Sequence, residues 1–165
     1  MHPFHTIVVA VDFSEMSADT IDTAVELARG QQDRVHLVHV VADVFRSMGL
    51  TDSPSIDWPE VQRNWIDQAR HQLIGVAAGC TLDPQRITTA VEVGSPAAEI
   101  VRYAHEHGAQ VIVLGSHGHG TVRRFMLGSV ADRVLRQASC PVMVVPHRSL
   151  RTTALELKAA AGIES

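Results

Sequence analysis

Cysteine is scarce in this chain. Cys80 and Cys140 are the only two in 165 residues, too few for a disulfide framework, and Cys140, between Ser139 and Pro141, reads as a packed thiol. Long apolar runs are also missing: none approaches the roughly 20 residues needed to cross a bilayer. The opening Met1-His-Pro-Phe-His5 lacks the basic start and apolar core of a secretory signal, so the expected location is the cytoplasm, with no membrane partner. Aromatic residues make up only 4%, and the net charge is −4, which argues against a nucleic-acid-binding surface. No Gly-x4-Gly-Lys-Ser/Thr segment occurs, and this excludes a P-loop NTPase. The histidines are scattered: His117 and His119 are one residue apart, with His36, His39, His105 and His107 elsewhere. A metal site needs a convergent third ligand and fixed geometry, so no metal ligand is assigned.

What is present is organised around glycine. The run Val111-Ile-Val-Leu114 reads as a buried strand and opens directly into Gly115-Ser-His-Gly118-His-Gly. The segment ends at Gly128-Ser129, just before Val130, Ala131, Val134, Leu135 and Ala138, whose spacing marks one face of a helix. A strand that opens into glycines and closes on a helix start lets backbone approach an anion, because the first helical N–H groups lack partners and carry partial positive charge. Between Gly115 and Gln137, Arg123, Arg124, Arg133 and Arg136 stand against the single acid Asp132. This local excess of cations also points to an anion site.

The rest of the chain alternates strands and helices. Thr6–Val11 is a β-branched strand ended by Asp12-Phe-Ser14, and a helix follows from about Ser17 to a stop at Gly30. Strand two covers Val35–Val41. Residues 42–59, with two prolines, read as a loop before a helix from about Glu60 to Gly79. Strand three covers Ile87–Val93, and Gly94-Ser95-Pro96 starts a third helix that ends at His107-Gly108. Strand four is Val111–Leu114, and Pro141 opens strand five, Val142–Val145. Such alternation implies parallel pairing with right-handed crossovers, and strands apolar on both faces imply helices covering both sides. One α/β domain over residues 1–147 is expected. Residues 148–165 form a tail in which Leu150, Ala154, Leu157 and Ala161 have helical spacing.

The spacing Gly115-x2-Gly118-x9-Gly128-Ser129 resembles the nucleotide-binding signature of the universal stress protein family, in its ATP-binding branch. The resemblance extends to Val-Ala-Val-Asp12-Phe-Ser, Leu-Val-His39-Val40, Val-Gly94-Ser-Pro-Ala-Ala-Glu99-Ile and Ser-Cys-Pro141-Val-Met-Val-Val, over roughly residues 4–146. It implies a three-layer, doubly wound sheet of five parallel strands in the order 3-2-1-4-5. Strands one and four are then neighbours at the topological switch point, where ligands bind beyond the carboxyl ends of the strands. One departure is Gln110, where the family often has Asp, and a structural contact is expected there.

The resemblance also assigns roles. Gly115 would let the ribose lie against backbone, or is an ordinary strand-end glycine. Gly118, Gly128 and Val130 would present amides to phosphates, with the Ser129 hydroxyl beside them. Ser129 equally begins a Ser-x-x-Asp capping pattern with Asp132. Asp12 would accept a hydrogen bond from adenine or ribose, or serve the turn after strand one. Val40 would offer its backbone N–H and C=O to the adenine edge, Leu114 would pack the sugar or base, and Ser14 is a further candidate near the phosphates.

The implied function is a stress-response protein that binds ATP (or AMP or ADP), with Mg²⁺ carried by the phosphates. It would act as a nucleotide-dependent switch or a stabilised homodimer paired through strand five. No paired carboxylates or placed lysine stand near the loop, so any ATPase activity should be weak. The alternatives are a slow ATP hydrolase and a dimeric scaffold that does not use nucleotide.

Overall fold

β-Branched runs flanked by turn residues form the strands, and their burial shows why they are so apolar. The computed structural model describes residues 5–43, 57–116 and 127–146. In chain order the elements are β1 (Thr6–Ala10), α1 (Met16–Leu27), β2 (Arg34–Ala42), α2 (Trp58–Ala78), a 3₁₀ turn (Pro84–Arg86), β3 (Ile87–Gly94), α3 (Pro96–Glu106), β4 (Val111–Gly115), α4 (Ser129–Gln137) and β5 (Val142–Val145). All strand pairs are parallel, and the order is β3-β2-β1-β4-β5, as the sequence led us to expect.

The central strands are covered on both faces. Ile7, Val9 and Val11 of the β1 segment join Val35, Leu37, Val111 and Val113 against Ile21, Ala24 and Leu73 from α1 and α2. Val8, between them, turns the other way with Val38, Ile112 and Leu114 toward Ile100, Tyr103, Ala131 and Val134 of α3 and α4. Alternation with a period of two therefore feeds both core layers. Gln110 does make a structural contact: its Oε1 accepts from the His5 and Thr6 amides at 3.0 and 2.6 Å, pinning the start of β1.

Element ends depart from the sequence reading where side chains intervene. α2 starts at Trp58, before the expected Glu60, because the Asp57 carboxylate accepts from Glu60 N at 3.0 Å as an N-cap. β2 runs one residue further at each end than expected, β3 takes in Gly94, and β4 takes in Gly115. α1 stops at Leu27, with Ala28 as its C-cap, short of Gly30. The Gly30 amide instead donates to Asp33 Oδ2 at 2.6 Å, and the freed carbonyls of Ala28 and Gly30 accept from the Arg86 guanidinium. α3 ends as expected: Gly108, at φ 60, supplies the left-handed turn and lets Ala109 N reach Ala104 O at 2.9 Å. The proposed tail helix lies outside the described residues.

Candidate functional site

Three chain segments meet where β1 ends. The registers pair Ala10 with Val38 and Val9 with Val113. Asp12, two residues past Ala10, is thus level with Val40 on β2, and β4 reaches the same height at Ser116. Val11 N donates to Val38 O at 2.8 Å, so Val38 turns its backbone groups toward β1. Val40, two residues on, turns its N–H and C=O the same way, into the column that β1 has vacated. On the other flank Ser116 N donates to Val145 O at 2.9 Å. Ser116 therefore faces β5, and Gly115, one residue earlier, faces β1. Val40 and Gly115 flank the same crevice from opposite sides, with Asp12 between them.

The turn after β1 is held by that aspartate. Asp12 Oδ1 accepts from Ser14 N at 3.0 Å, Ser14 Oγ at 2.6 Å and Ser17 Oγ at 2.9 Å. This is an Asx turn that fixes the carboxylate, and the alternative role weighed for Asp12 is therefore a real one. Asp12 is not the helix cap itself, since Glu15 occupies that position. Phe13, inside the turn, has φ 61, a left-handed conformation uncommon outside glycine. Its ring packs on His39 with centroids 4.4 Å apart. His39 Nδ1 lies 2.7 Å from the Val11 carbonyl. A carbonyl only accepts, so Nδ1 carries the proton.

Beside Val40 the structure opens a cavity of about 380 Å³, lined by Phe13, His39 and Val40–Ala42 on one side and Trp65, Gln68, Ala69 and Gln72 of α2 on the other. The sequence reading missed Phe13, Trp65 and this cavity. Trp65, on α2, remains 39% exposed.

The start of α4 closes the crevice on the β4 side. Gly128 N donates to Ser116 O at 2.8 Å, and the first helical bond runs from Asp132 N to Gly128 O at 2.9 Å. The Gly128 amide is therefore engaged within the protein, which corrects the expectation that it faces phosphate. The first-turn N–H groups ahead of that bond are those of Ser129, Val130 and Ala131. Ser129 is the first helical residue, Gly128 is the N-cap, and no side chain caps the helix, so the Ser-x-x-Asp capping pattern is not formed. Asp132 instead pairs with Arg136 at 3.0 Å. That hydrogen bond, with added attraction from Arg136 and Arg133, holds its carboxyl below the usual range. Leu114 is buried in the second core layer, so its side chain packs inside the protein and not against a ligand. Gly118, His117, His119, Arg123 and Arg124 lie outside the described residues. Among the described residues no three His, Cys, Asp or Glu side chains converge as a metal site, and no helix is long and apolar enough to cross a membrane.

This arrangement matches known proteins. The universal stress protein family model matches residues 3–146, and the chain belongs to that family. It is 33% identical to the universal stress protein YxiE of Bacillus subtilis over 150 residues, covering 86% of this chain and 99% of the relative. Its fold is that of MJ0577 of Methanocaldococcus jannaschii. The TM-score is 0.75 at 24% identity, over 88% of this chain and 97% of the other. A universal stress protein solved in complex with cAMP is 26% identical with a TM-score of 0.54, over 87% and 97% of the two chains.

Proposed function

We propose that this chain is an adenine-nucleotide-binding universal stress protein that holds ATP across the β1–β4 switch point and acts as a nucleotide-dependent switch in the cytoplasmic stress response. The observation that carries this reading is the facing pair of backbone surfaces. The first-turn N–H groups of Ser129, Val130 and Ala131 offer an anion site, and the Val40 N–H and C=O offer a base edge across the same crevice. Gly115 leaves room for the sugar between them, with Asp12 as acceptor. The cavity beside Val40 suits a flat, largely apolar ring. Mg²⁺ would arrive on the phosphates, retaining mostly water ligands. Turnover should be weak, because the chain supplies binding groups here and no paired acid and base.

ATP should bind in the micromolar range, about −8 kcal/mol. Mass spectrometry of denatured, freshly purified protein should find ATP or AMP. Calorimetry that detects no adenine nucleotide at millimolar concentration would leave the scaffold alternative standing. The relative solved with cAMP favours a second reading in which the ligand is a cyclic nucleotide, and parallel titrations with ATP, AMP and cAMP separate the two.

Trp65 on the cavity rim gives a local probe. The chain has two tryptophans, Trp58 and Trp65. Saturating ATP should change the tryptophan emission, and Trp65→Phe should remove the change while leaving most of the affinity. An equal change in the variant would move the base away from this cavity.

Homodimerisation through β5 is the second part of the proposal. Pro141 O accepts from Ile112 N and Val145 O accepts from Ser116 N, so alternate residues 141, 143 and 145 face β4. Val142 and Val144 therefore turn their backbone groups to the outer edge, which pairs with no further strand among the described residues and is an aggregation risk unless paired or covered. The amide that Pro141 lacks falls on the β4 side, so the proline does not restrict pairing at the outer edge. Leu135 of α4, the helix that packs against β5, is 44% exposed, which adds apolar surface. A two-fold contact here closes at two subunits. Val144→Pro removes one outward donor and should shift sedimentation toward monomer. A parent that is monomeric at tens of micromolar (about −6 kcal/mol or weaker) would refute the dimer.

A further inference from the structure

At the end of the sheet opposite the crevice, three rings from two elements interlock. His36, the third residue of β2, is 9% exposed, and its Nδ1 lies 3.1 Å from the Tyr103 hydroxyl of α3. Tyr103, also buried, stacks on His107 with centroids 3.9 Å apart. The two imidazoles are 5.4 Å apart. His107 Nδ1 is 2.9 Å from the Tyr103 carbonyl, so that nitrogen carries a proton. His107 is the exposed C-cap of α3, where water solvates either protonation state.

His36 has no such outlet. A cation there would lie buried between β2 and α3, facing His107 on α3 and Arg34 on its own strand. The nearest acid from β3 is Glu92, whose field acts on Tyr103 and whose carboxylate is already paired with Arg102 of α3. Arg102 also binds Glu99 and Glu106. The charged groups that act on His36 are thus His107 and Arg34, while Glu92, Glu99 and Glu106 share the single guanidinium of Arg102.

We propose that His36, Tyr103 and His107 form an acid-sensitive clasp that fastens the C-terminal turns of α3 to β2 while His36 is neutral and releases them when His36 takes up a proton. Burial first, then His107 and Arg34, lower the His36 pKa from its ordinary value. The sign follows by linkage. In the open chain the imidazole binds a proton near about pH 6.5, whereas the closed clasp refuses it to lower pH. The stabilisation is therefore complete above that value and is lost as pH falls below it toward the closed-state pKa. The clasp lies apart from the crevice, and its test needs no nucleotide.

Imidazole NMR titration and hydrogen exchange on the full chain provide that test. His36 should titrate below the ordinary imidazole value. Protection of the α3 amides, relative to α1 and corrected for intrinsic rates, should fall about tenfold for each unit by which the His36 pKa is depressed. His36→Gln keeps a polar group near Tyr103 without a titrating ring, and its α3 should lose little protection in acid. His107→Gln removes the repulsive neighbour, so the His36 titration should move upward and the acid loss should shrink. Titration of His36 at or above the ordinary imidazole value overturns the clasp, as does equal acid loss in His36→Gln and the parent. Should His36→Gln not fold, an unmoved His36 titration in His107→Gln overturns it as well.

Discussion

With ATP bound as proposed, Gly128→Val is expected to abolish the rise in melting temperature that the nucleotide should produce, while the protein without nucleotide unfolds much as the parent does. Gly128 sits at φ −60, ψ 150, a conformation open to valine, and its hydrogen bond to Ser116 O needs only the backbone. The backbone conformation therefore makes no demand for glycine here. The demand comes from the ligand: a branched side chain at the N-cap would stand at the mouth of α4, over the N–H groups of Ser129, Val130 and Ala131. At a hundred times Kd, bound nucleotide stabilises the native state by about 2.7 kcal/mol, and that increment should vanish. The same loss is expected for Gly118→Val on the strength of the sequence pattern. A folded Gly128→Val protein that binds ATP like the parent would show that phosphate does not approach this helix start.

Much of the fold was legible because central parallel strands are buried on both faces. Val111–Leu114 and Thr6–Val11 had to be nearly continuous apolar runs, and such runs stand out between helices. The crevice was legible for a related reason. Once β1 and β4 are neighbours, the residues that end them, Asp12 and Gly115, must converge, whereas Val40 came from the family resemblance and its register beside β1 from the structure. Side-chain traffic between distant segments was not legible. Ser129 followed by Asp132 has the form of a capping box, yet Asp132 belongs to Arg136 one turn later, and the carbonyl of Gly128 already starts the helix. Gly128 matched a phosphate-binding spacing, but spacing carries no information that its amide would be taken by Ser116. Phe13 reads as an ordinary turn residue in Asp12-Phe-Ser14. Only the three-dimensional turn, pinned by Ser14 and Ser17, forces it into the left-handed region and against His39.

The clearest case of hidden structure is Arg86, and it carries the largest stability effect expected here. The sequence placed α1 up to Gly30, and nothing near Gly30 marks an earlier stop. The stop is organised from the 3₁₀ turn Pro84–Arg86, which Asp83 caps by accepting from Gln85 N at 2.9 Å. From that turn the guanidinium donates to Asp33 O at 2.8 Å, Ala28 O at 2.9 Å and Gly30 O at 2.5 Å. Asp33, 1% exposed, meanwhile holds the Gly30 amide and lies 3.3 Å from His5. The last turn of α1 has no basic residue of its own; Arg29, just beyond it, donates to Glu26 O at 3.0 Å, and Arg86 adds donors and positive charge at the carbonyls that follow. Arg86→Met keeps an apolar stem but takes the guanidinium from the Ala28 and Asp33 carbonyls, while Gly30 O keeps the Asp33 amide at 3.2 Å. Unsatisfied buried acceptors cost about 1–3 kcal/mol each, and partial access of water should bring the total to about 2–4 kcal/mol. For a domain of this size that corresponds to a melting temperature lower by about 5–15 °C. Arg86→Lys should recover only part, because an ammonium cannot fork across three acceptors. The increment from ATP should be unchanged in both variants, since Arg86 sits at the end of the sheet remote from the crevice. Calorimetry on the three proteins decides the point. A loss under about 1 kcal/mol in Arg86→Met, or full rescue by lysine, would mean that Asp33 alone fixes the turn and that the carbonyl fork is incidental.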